Sequence, residues 1–307
     1  MFPFFKRGGG TGGRIGVLVT SEGVAAAQVA PAKAGAKPRL KHCVYEARGA
    51  QDPFARVASR LSGRRVPTAS VLDPAGYNLL LVEAPDVPAD ELRAAVRWRI
   101  KDLIDFHIDD AVIDVFEMPR HARGGTNKMM YAVTAKAEFV KQQIDLVEAA
   151  GLTLDVIDIP ELSLRNVATL LEAEQRGAAF LYVADRRSTL LLVRQGVLYL
   201  TRHVETGVKT LAEGDGLRRD LVAGLALEVR RSLDYFESHY EQTSIPALYT
   251  SGLEPRDQQQ LEQDLAIAVR GVDLNSILDS DEELSEELQW LCLPAVGAAL
   301  RCDPVAL

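Results

Sequence analysis

Two stretches of the chain carry the same order of elements, and that repetition limits the folds open to it more than any other feature. In the first, Arg14 to Thr20 and Val24 to Ala30 are apolar runs joined by Ser21-Glu22-Gly23, with a third strand-like run at Leu40 to Ala47. Short apolar runs separated by small and polar residues read as antiparallel strands. In the second, Ala179 to Ala184, Thr189 to Arg194 and Val197 to His203 repeat the pattern, the last two meeting at the tight turn Gln195-Gly196. Each trio continues into helix, strand and helix. The first leads to a helix at Asp52 to Leu61 and strands at Thr68 to Leu72 and Tyr77 to Glu83, and is rejoined later by the strand Leu154 to Ile159 and the helix Glu161 to Glu174. The second leads to a long helix with Leu217, Leu221, Leu225, Val229, Leu233 and Phe236 on one stripe. A strand at Ala247 to Thr250, a helix at Pro255 to Ala268, the acidic loop Asp273 to Glu287 and a last helix from about Pro294 follow.

Between the two parts of the first unit the pattern changes. Asp86-Val87-Pro88-Ala89-Asp90 is a helix-start signal, and Leu92, Val96, Ile100 and Leu103 place one buried stripe on the helix that follows, with Arg97 and Trp98 off that stripe. Strand-like segments at Ala111 to Phe116 and Met129 to Thr134 and a helix at Ala137 to Ala150 complete an inserted α+β subdomain. The expected division is therefore a terminal segment 1–13, a first subdomain 14–84 and 154–176, an insert 85–153 and a second half 177–307. A duplicated α/β unit with an insert in its first copy is the plan of the actin-like class, which includes Hsp70, FtsA and the sugar kinases.

Charge and composition narrow the function. Thirty-five basic against 43 acidic residues give a net charge of −8, the wrong sign for a generic nucleic-acid binder, which must neutralise phosphates. The first 65 residues run the other way, with twelve Lys or Arg and three acids, and could face an anionic membrane or an acidic partner. Phe2, Phe4 and Phe5 beside Lys6 and Arg7 suit a peripheral contact with a lipid interface, tethered through the glycines at 8–13. No uncharged apolar run reaches the roughly 18–20 residues of a membrane span, and the longest, Leu288 to Leu300, contains Pro294. Cys43, Cys292 and Cys302 and the five scattered histidines form no zinc pattern, which with the cysteine usage indicates a reducing cytoplasm. No GxSxG elbow is present.

The stretch from Glu91 to Glu117 is sharper. Its Arg97-Trp98, Lys101-Asp-Leu-Ile104-Asp105-Phe106-His107 and the following acids with Val112 and Asp114 resemble the helix-and-strand signature of PilM-type type IV pilus assembly proteins. The form Lys-Asp-Leu-Ile-Asp-Phe is closest to the MshI branch of the MSHA pilus system. Asp155-Val-Ile-Asp-Ile-Pro160, Gly196-Val-Leu-Tyr-Leu-Thr-Arg202, Glu228-Val-Arg-Arg-Ser-Leu-Asp-Tyr-Phe236 and Ala295-Val-Gly-Ala-Ala-Leu300 extend the likeness over most of the chain. The resemblance implies an actin-like protein at the cytoplasmic face of the inner membrane of a Gram-negative bacterium. Such a protein captures the cytoplasmic tail of a PilN-like bitopic partner and couples it to the assembly motor. Arg97, Trp98, Ile104 and Phe106 are the residues expected to meet that tail. A GspL-like cytoplasmic domain of type II secretion is the nearest alternative of the same class.

The resemblance also implies ATP with Mg²⁺, and the chain departs from that pattern at each phosphate element. An acid at the end of the first strand of each half would hold hydrated Mg²⁺, and glycines in the turns would let backbone N–H groups reach phosphate oxygens. The acid positions are Leu18 and Tyr182, and the turn glycines are Thr20 and Ala184. The adenosine-side motif keeps one glycine in Ser251-Gly252-Leu253-Glu254. Ser188, Thr189, Glu228 and Gly252 remain as nucleotide contacts, and the expectation is a pseudo-ATPase with no catalytic residue. An active ATPase or kinase would need a displaced acid, Asp185 or Asp73.

Overall fold

The computed structural model describes residues 13–32, 36–49, 52–61, 65–88, 91–119, 128–171, 176–214, 216–240 and 244–302. The aromatic segment around Phe2, Phe4 and Phe5 lies outside them. The first half opens with β1 (Arg14–Val19), β2 (Gly23–Ala30), β3 (Arg39–Ala47), α1 (Pro53–Ser59) and β4 (Pro67–Val71). The chain then runs through β5 (Tyr77–Glu83), α2 (Leu92–Ile100), β6 (Ala111–Glu117), β7 (Met129–Lys136) and α3 (Ala137–Ala149). It returns through β8 (Thr153–Asp158) and α4 (Pro160–Ala168). The second half holds β9 (Ala178–Val183), β10 (Ser188–Arg194), β11 (Val197–Val204), α5 (Val208–Glu213), α6 (Arg218–Tyr240), β12 (Ala247–Ser251), α7 (Pro255–Leu265) and β13 (Ala268–Gly271). The last elements are α8 (Leu274–Ile277), β14 (Asp279–Ser280) and α9 (Glu286–Ala299).

The duplication is visible in the sheets. The first sheet has the order β14-β3-β2-β1-β4-β8 and the second β11-β10-β9-β12-β13. In both, the opening strand pairs antiparallel with its hairpin partner on one side and parallel with the strand after the crossover on the other. Gln195 and Gly196 both have positive φ, 50° and 74°, the geometry of the tight hairpin turn their order predicts.

Four features depart from the sequence expectation. β5 pairs through all its residues with β7 in a separate sheet of order β5-β7-β6, so the insert's sheet begins at Tyr77 and not at Pro85. The chain leaves the first subdomain at Asp73, whose carboxylate caps the short turn Pro74–Gly76 by accepting from the Ala75 amide at 2.9 Å. The helix α2 ends at Ile100, which leaves Leu103 outside the stripe and exposed while Val96 and Ile100 are buried. α7 stops at Leu265 because Ala266 turns left-handed (φ 57°), and the chain continues as β13, which carried no periodic signal of its own in four residues. α9 begins at Glu286, with the Ser285 hydroxyl accepting from the Leu288 amide at 3.2 Å, and contains Pro294 in its interior. A proline there leaves the Trp290 carbonyl without its helical donor, and the Tyr182 hydroxyl points at that carbonyl from 3.4 Å.

β14 and α9 also pack spatially on the first sheet. β14 pairs with β3, and α9 packs on β1, β2, β3, β4 and α4. The main apolar core therefore lies between the halves, with Leu18, Ala27 and Val71 from one sheet, Phe180, Leu191 and Tyr249 from the other, and α4 and α9 between them. Two glycines set the closeness of this layer. A Cβ on Gly16 would overlap the Ala295 carbonyl, and one on Gly297 would overlap the backbone of Ser163. Gly224, inside α6, faces open space. Gly297→Ala is therefore expected to cost about 2–3 kcal/mol in urea unfolding, by overpacking. Gly224→Ala, in the same kind of helix, should gain about 0.5–1 kcal/mol through helix propensity alone.

Candidate functional site

The two hairpin turns that face each other across the halves are closed and cross-linked. In the first, the Thr20 amide donates to the Gly23 carbonyl at 2.9 Å and the Thr20 hydroxyl accepts from the Glu22 amide at 3.2 Å. In the second, the Ala184 amide donates to the Arg187 carbonyl at 3.0 Å. α5 is seated directly on this second turn, since the Val208 and Lys209 amides donate to the Ala184 and Asp185 carbonyls at 2.9 and 2.8 Å. That seating aims Lys209 between the turns, with Nζ 3.0 Å from Glu22 and 3.6 Å from Asp185. The hydrogen bond to Lys209 holds the Glu22 carboxyl below its ordinary range, and the reciprocal bond raises the Lys209 ammonium.

The residues expected to touch a nucleotide are each engaged elsewhere. Ser188 is buried and donates to the Thr206 carbonyl at 2.6 Å. Thr189 is buried in the strand ladder opposite Tyr182 and His203. Glu228 accepts from Arg231 at 2.7 Å on α6. Gly252 has φ +87°, and a Cβ there would overlap the Val183 carbonyl and the Trp290 indole, whose Nε1 donates to that carbonyl at 2.8 Å. Its retention is explained by this packing. Leu18 and Tyr182, at the two acid positions, are buried, and burial pushes the Tyr182 phenol well up. Among the described residues no cluster of His, Cys, Asp or Glu is arranged to hold a metal ion. Asp185, in the second turn, faces Lys209. The residues present do not fit Mg-ATP.

A different site is open. A groove of about 770 Å³ runs between the first subdomain and the insert. Val19, Thr20, Arg48 and Asp73 form one side, and Phe106, Lys136 and Phe139 form the other. Gly76 borders it where the Phe139 ring leaves no room for a side chain. The Lys136 ammonium lies 5.5 Å over the Phe106 ring, a cation–π contact that orders both. Gln143, also in the wall, donates to the buried Ser70 hydroxyl at 2.6 Å and so fastens α3 to β4. Of the residues expected to meet a partner, Phe106 lines this groove. Arg97 pairs with Asp109 at 2.9 Å, Ile104 is half-buried in the turn after α2, and Trp98 is 73% exposed on α2 beneath Lys101. Arg48, Lys136 and Phe139 had no motif to mark them. The Asp73-Pro-Ala-Gly turn was the one local signal available.

The insert is tied to the rest of the molecule through a buried carboxylate. Glu161, fully buried at the start of α4, accepts from the Tyr77 hydroxyl at 2.7 Å and lies 2.7 Å from His203 Nε2. These three residues come from the insert's sheet, the first half and the second half. Burial and the adjacent carboxylate push the Tyr77 phenol well up, so it stays a donor. A second tie runs from the Thr201 amide to the Tyr131 hydroxyl at 3.2 Å.

No family model matches the chain, and no curated protein matches its sequence. Solved structures do match its shape. A chain of a PilM-PilN type IV pilus biogenesis complex superposes with a TM-score of 0.71 at 21% identity, over 96% of this chain and 100% of that one. The cytoplasmic domain of EpsL, an inner-membrane component of the type II secretion system of Vibrio cholerae, gives 0.50 at 11% identity, over 91% and 93%. A Bacteroides thetaiotaomicron protein with an actin-like ATPase fold gives 0.50 at 8% identity, over 92% and 96%. The chain has the actin-like fold.

In an actin-like fold the two hairpin turns are where phosphates would lie, and here Lys209 bridges them with Glu22 and Asp185. The carboxylate that joins the insert to both actin-like halves is the more costly group to disturb, because a buried charge with fewer hydrogen bonds loses solvation without replacement. Tyr77→Phe is expected to lower stability in urea unfolding by about 1–3 kcal/mol. In the His203→Gln background the same change should cost a different amount, a coupling that a double-mutant cycle measures.

Proposed function

We propose that the chain is a nucleotide-independent adaptor of a pilus- or secretion-type assembly machine, which holds the extended cytoplasmic tail of a PilN-like bitopic membrane protein in the groove between its first subdomain and its insert. The observation that carries this reading is the groove itself: aromatic side chains at Phe106 and Phe139, with Arg48, Lys136 and Asp73 along the same walls. Apolar pockets with a few fixed charges suit an extended peptide, the charges setting its direction and the rings its side-chain pattern. The first residues of edge strand β5, Tyr77 and Asn78, border the groove and add backbone groups that a strand-like ligand could pair with.

The likeness to a chain of a PilM-PilN complex, over 96% of this chain and 100% of that one, supports a partner of that kind. The likeness to the EpsL domain supports the same placement at the cytoplasmic face of an inner membrane. Among the described residues no helix is long and apolar enough to cross a membrane, in keeping with peripheral attachment through the partner and the N-terminal aromatics. The MshI reading rests on the resemblance at Lys101 to Phe106, and the motor contact is what the resemblance to PilM-type proteins implies.

Two measurements test the reading. In a calorimetric titration, Mg-ATP at millimolar concentration should give no binding heat, and micromolar affinity would return the chain to the ATPases. With a synthetic N-terminal tail of the PilN-like protein from the same organism, Phe106→Ala should weaken binding about tenfold or more, as loss of a buried aromatic anchor does. Trp98→Ala, outside the groove, should change it by less than about threefold. Equal affinity of wild type and Phe106→Ala would remove the groove as the binding place.

A further inference from the structure

Cys43 and Cys292 come from opposite ends of the sequence and meet in the layer between the halves. Cys292, buried on α9, has its sulfur 3.4 Å from the carbonyl of Val44, the residue next to Cys43 on β3. Both side chains belong to the same apolar cluster, whereas Val44, the next residue on β3, faces the opposite side of the sheet. A register shift against β2 at Gln28 and Val29 adds one residue to β3 between Leu40 and His42, which lets both Leu40 and Cys43 face α9. Cys43 lies opposite Ala27, a side chain too small to cover it.

The two thiols differ in access. β14 covers the outer edge of β3 at Arg39 and Leu40 alone, so Cys43 lies on the stretch beyond that pairing and is half-buried. Cys292 has no such route. The neighbouring Cys43 thiol and its burial both push its thiol up, which makes it slow to react by itself.

We propose that Cys43 and Cys292 are a reversible thiol–disulfide site, oxidised by a low-molecular-weight disulfide of the glutathione type, which pins α9 to the edge of the first sheet. The Cys43 thiolate attacks one sulfur of the oxidant, breaking its S–S bond, forming a mixed disulfide and releasing one glutathione thiolate. Cys292 then attacks the Cys43 sulfur of the mixed disulfide, breaking its bond to glutathione, and the Cys292 proton leaves on the second glutathione as its thiol. Two protein thiols are oxidised by two electrons, and one glutathione disulfide is reduced to two thiols. Since α9 also carries Trp290 against Val183 of the second half, the bond would join the first sheet to the helix that fills the cleft. The inference rests on this packing and is independent of the adaptor reading.

The three cysteines fall on separate tryptic peptides, 42–48, 271–301 and 302–307, so the test is direct. Full-length protein is incubated with oxidised glutathione, quenched by alkylation, digested and analysed by mass spectrometry, in wild type, Cys302→Ser and Cys43→Ser. The expected result is a linked 42–48/271–301 species in wild type and Cys302→Ser, reversed by dithiothreitol and absent from Cys43→Ser. Free thiols in wild type should fall from three to one, with the thermal midpoint rising by about 5 °C. Glutathione on Cys43 without the linked species, a link through Cys302, or three free thiols after oxidation would each overturn the proposal.

Discussion

The contact on which the rest of the structure depends is that of α9 with β1 and α4. Gly16 and Gly297 allow helix and strand backbones to approach where any Cβ would overlap the Ala295 carbonyl or the Ser163 backbone. Through that contact a helix that follows the second half in sequence becomes the packing partner of the first sheet. The halves are therefore not two domains joined by a linker. Their largest apolar cluster is shared, and α9 and α4 are its centre.

The state of the nucleotide cleft follows from this layer. Trp290 projects from α9 onto the Val183 carbonyl, where Gly252 has been kept small and left-handed to receive it. Tyr182, at a position where a metal-binding acid would stand, instead directs its hydroxyl toward the carbonyl that Pro294 left without a donor. The proline inside α9, the tyrosine on β9 and the glycine after β12 thus answer one another. Buried side chains and a satisfied helix carbonyl thus occupy this part of the layer between the halves.

Much of this was legible in the sequence, and the parts that were not share a cause. The hairpins were readable because strands buried on both faces are continuous apolar runs broken by turn residues, and the insert's first helix because one buried face imposes a period on consecutive residues. The erosion of the phosphate turns was readable because it is a matter of residue identity at Leu18, Thr20, Tyr182 and Ala184. The start of α9 was misplaced because Pro294 looks like a boundary, and its tolerance depends on Tyr182, far away in the chain. β13 and β14 are four and two residues long and acquire meaning from the strands beside them. Trp98 was rightly read as off its helix's buried stripe, but the groove is built by Arg48, Lys136 and Phe139, which the topology brings together from three separate elements and no spacing announces.

The groove and the buried carboxylate are joined through one residue. Tyr77 is among the residues that border the groove, its hydroxyl donates to Glu161, and Glu161 reaches His203 in the second half. In this chain Lys209 bridges the two hairpin turns, and the insert is joined to the second half both through Tyr77, Glu161 and His203 and through the Tyr131 hydroxyl, which accepts from the Thr201 amide. A tail seated in the groove would therefore press on a residue whose hydrogen bond cannot be given up cheaply, since the carboxylate it serves has no access to water. Under the proposed adaptor reading, the same tyrosine would resist distortion of the site, so that a partner would be presented from a fixed frame. That role needs stiffness between subdomains, which the shared core, the lysine bridge and the buried carboxylate each supply.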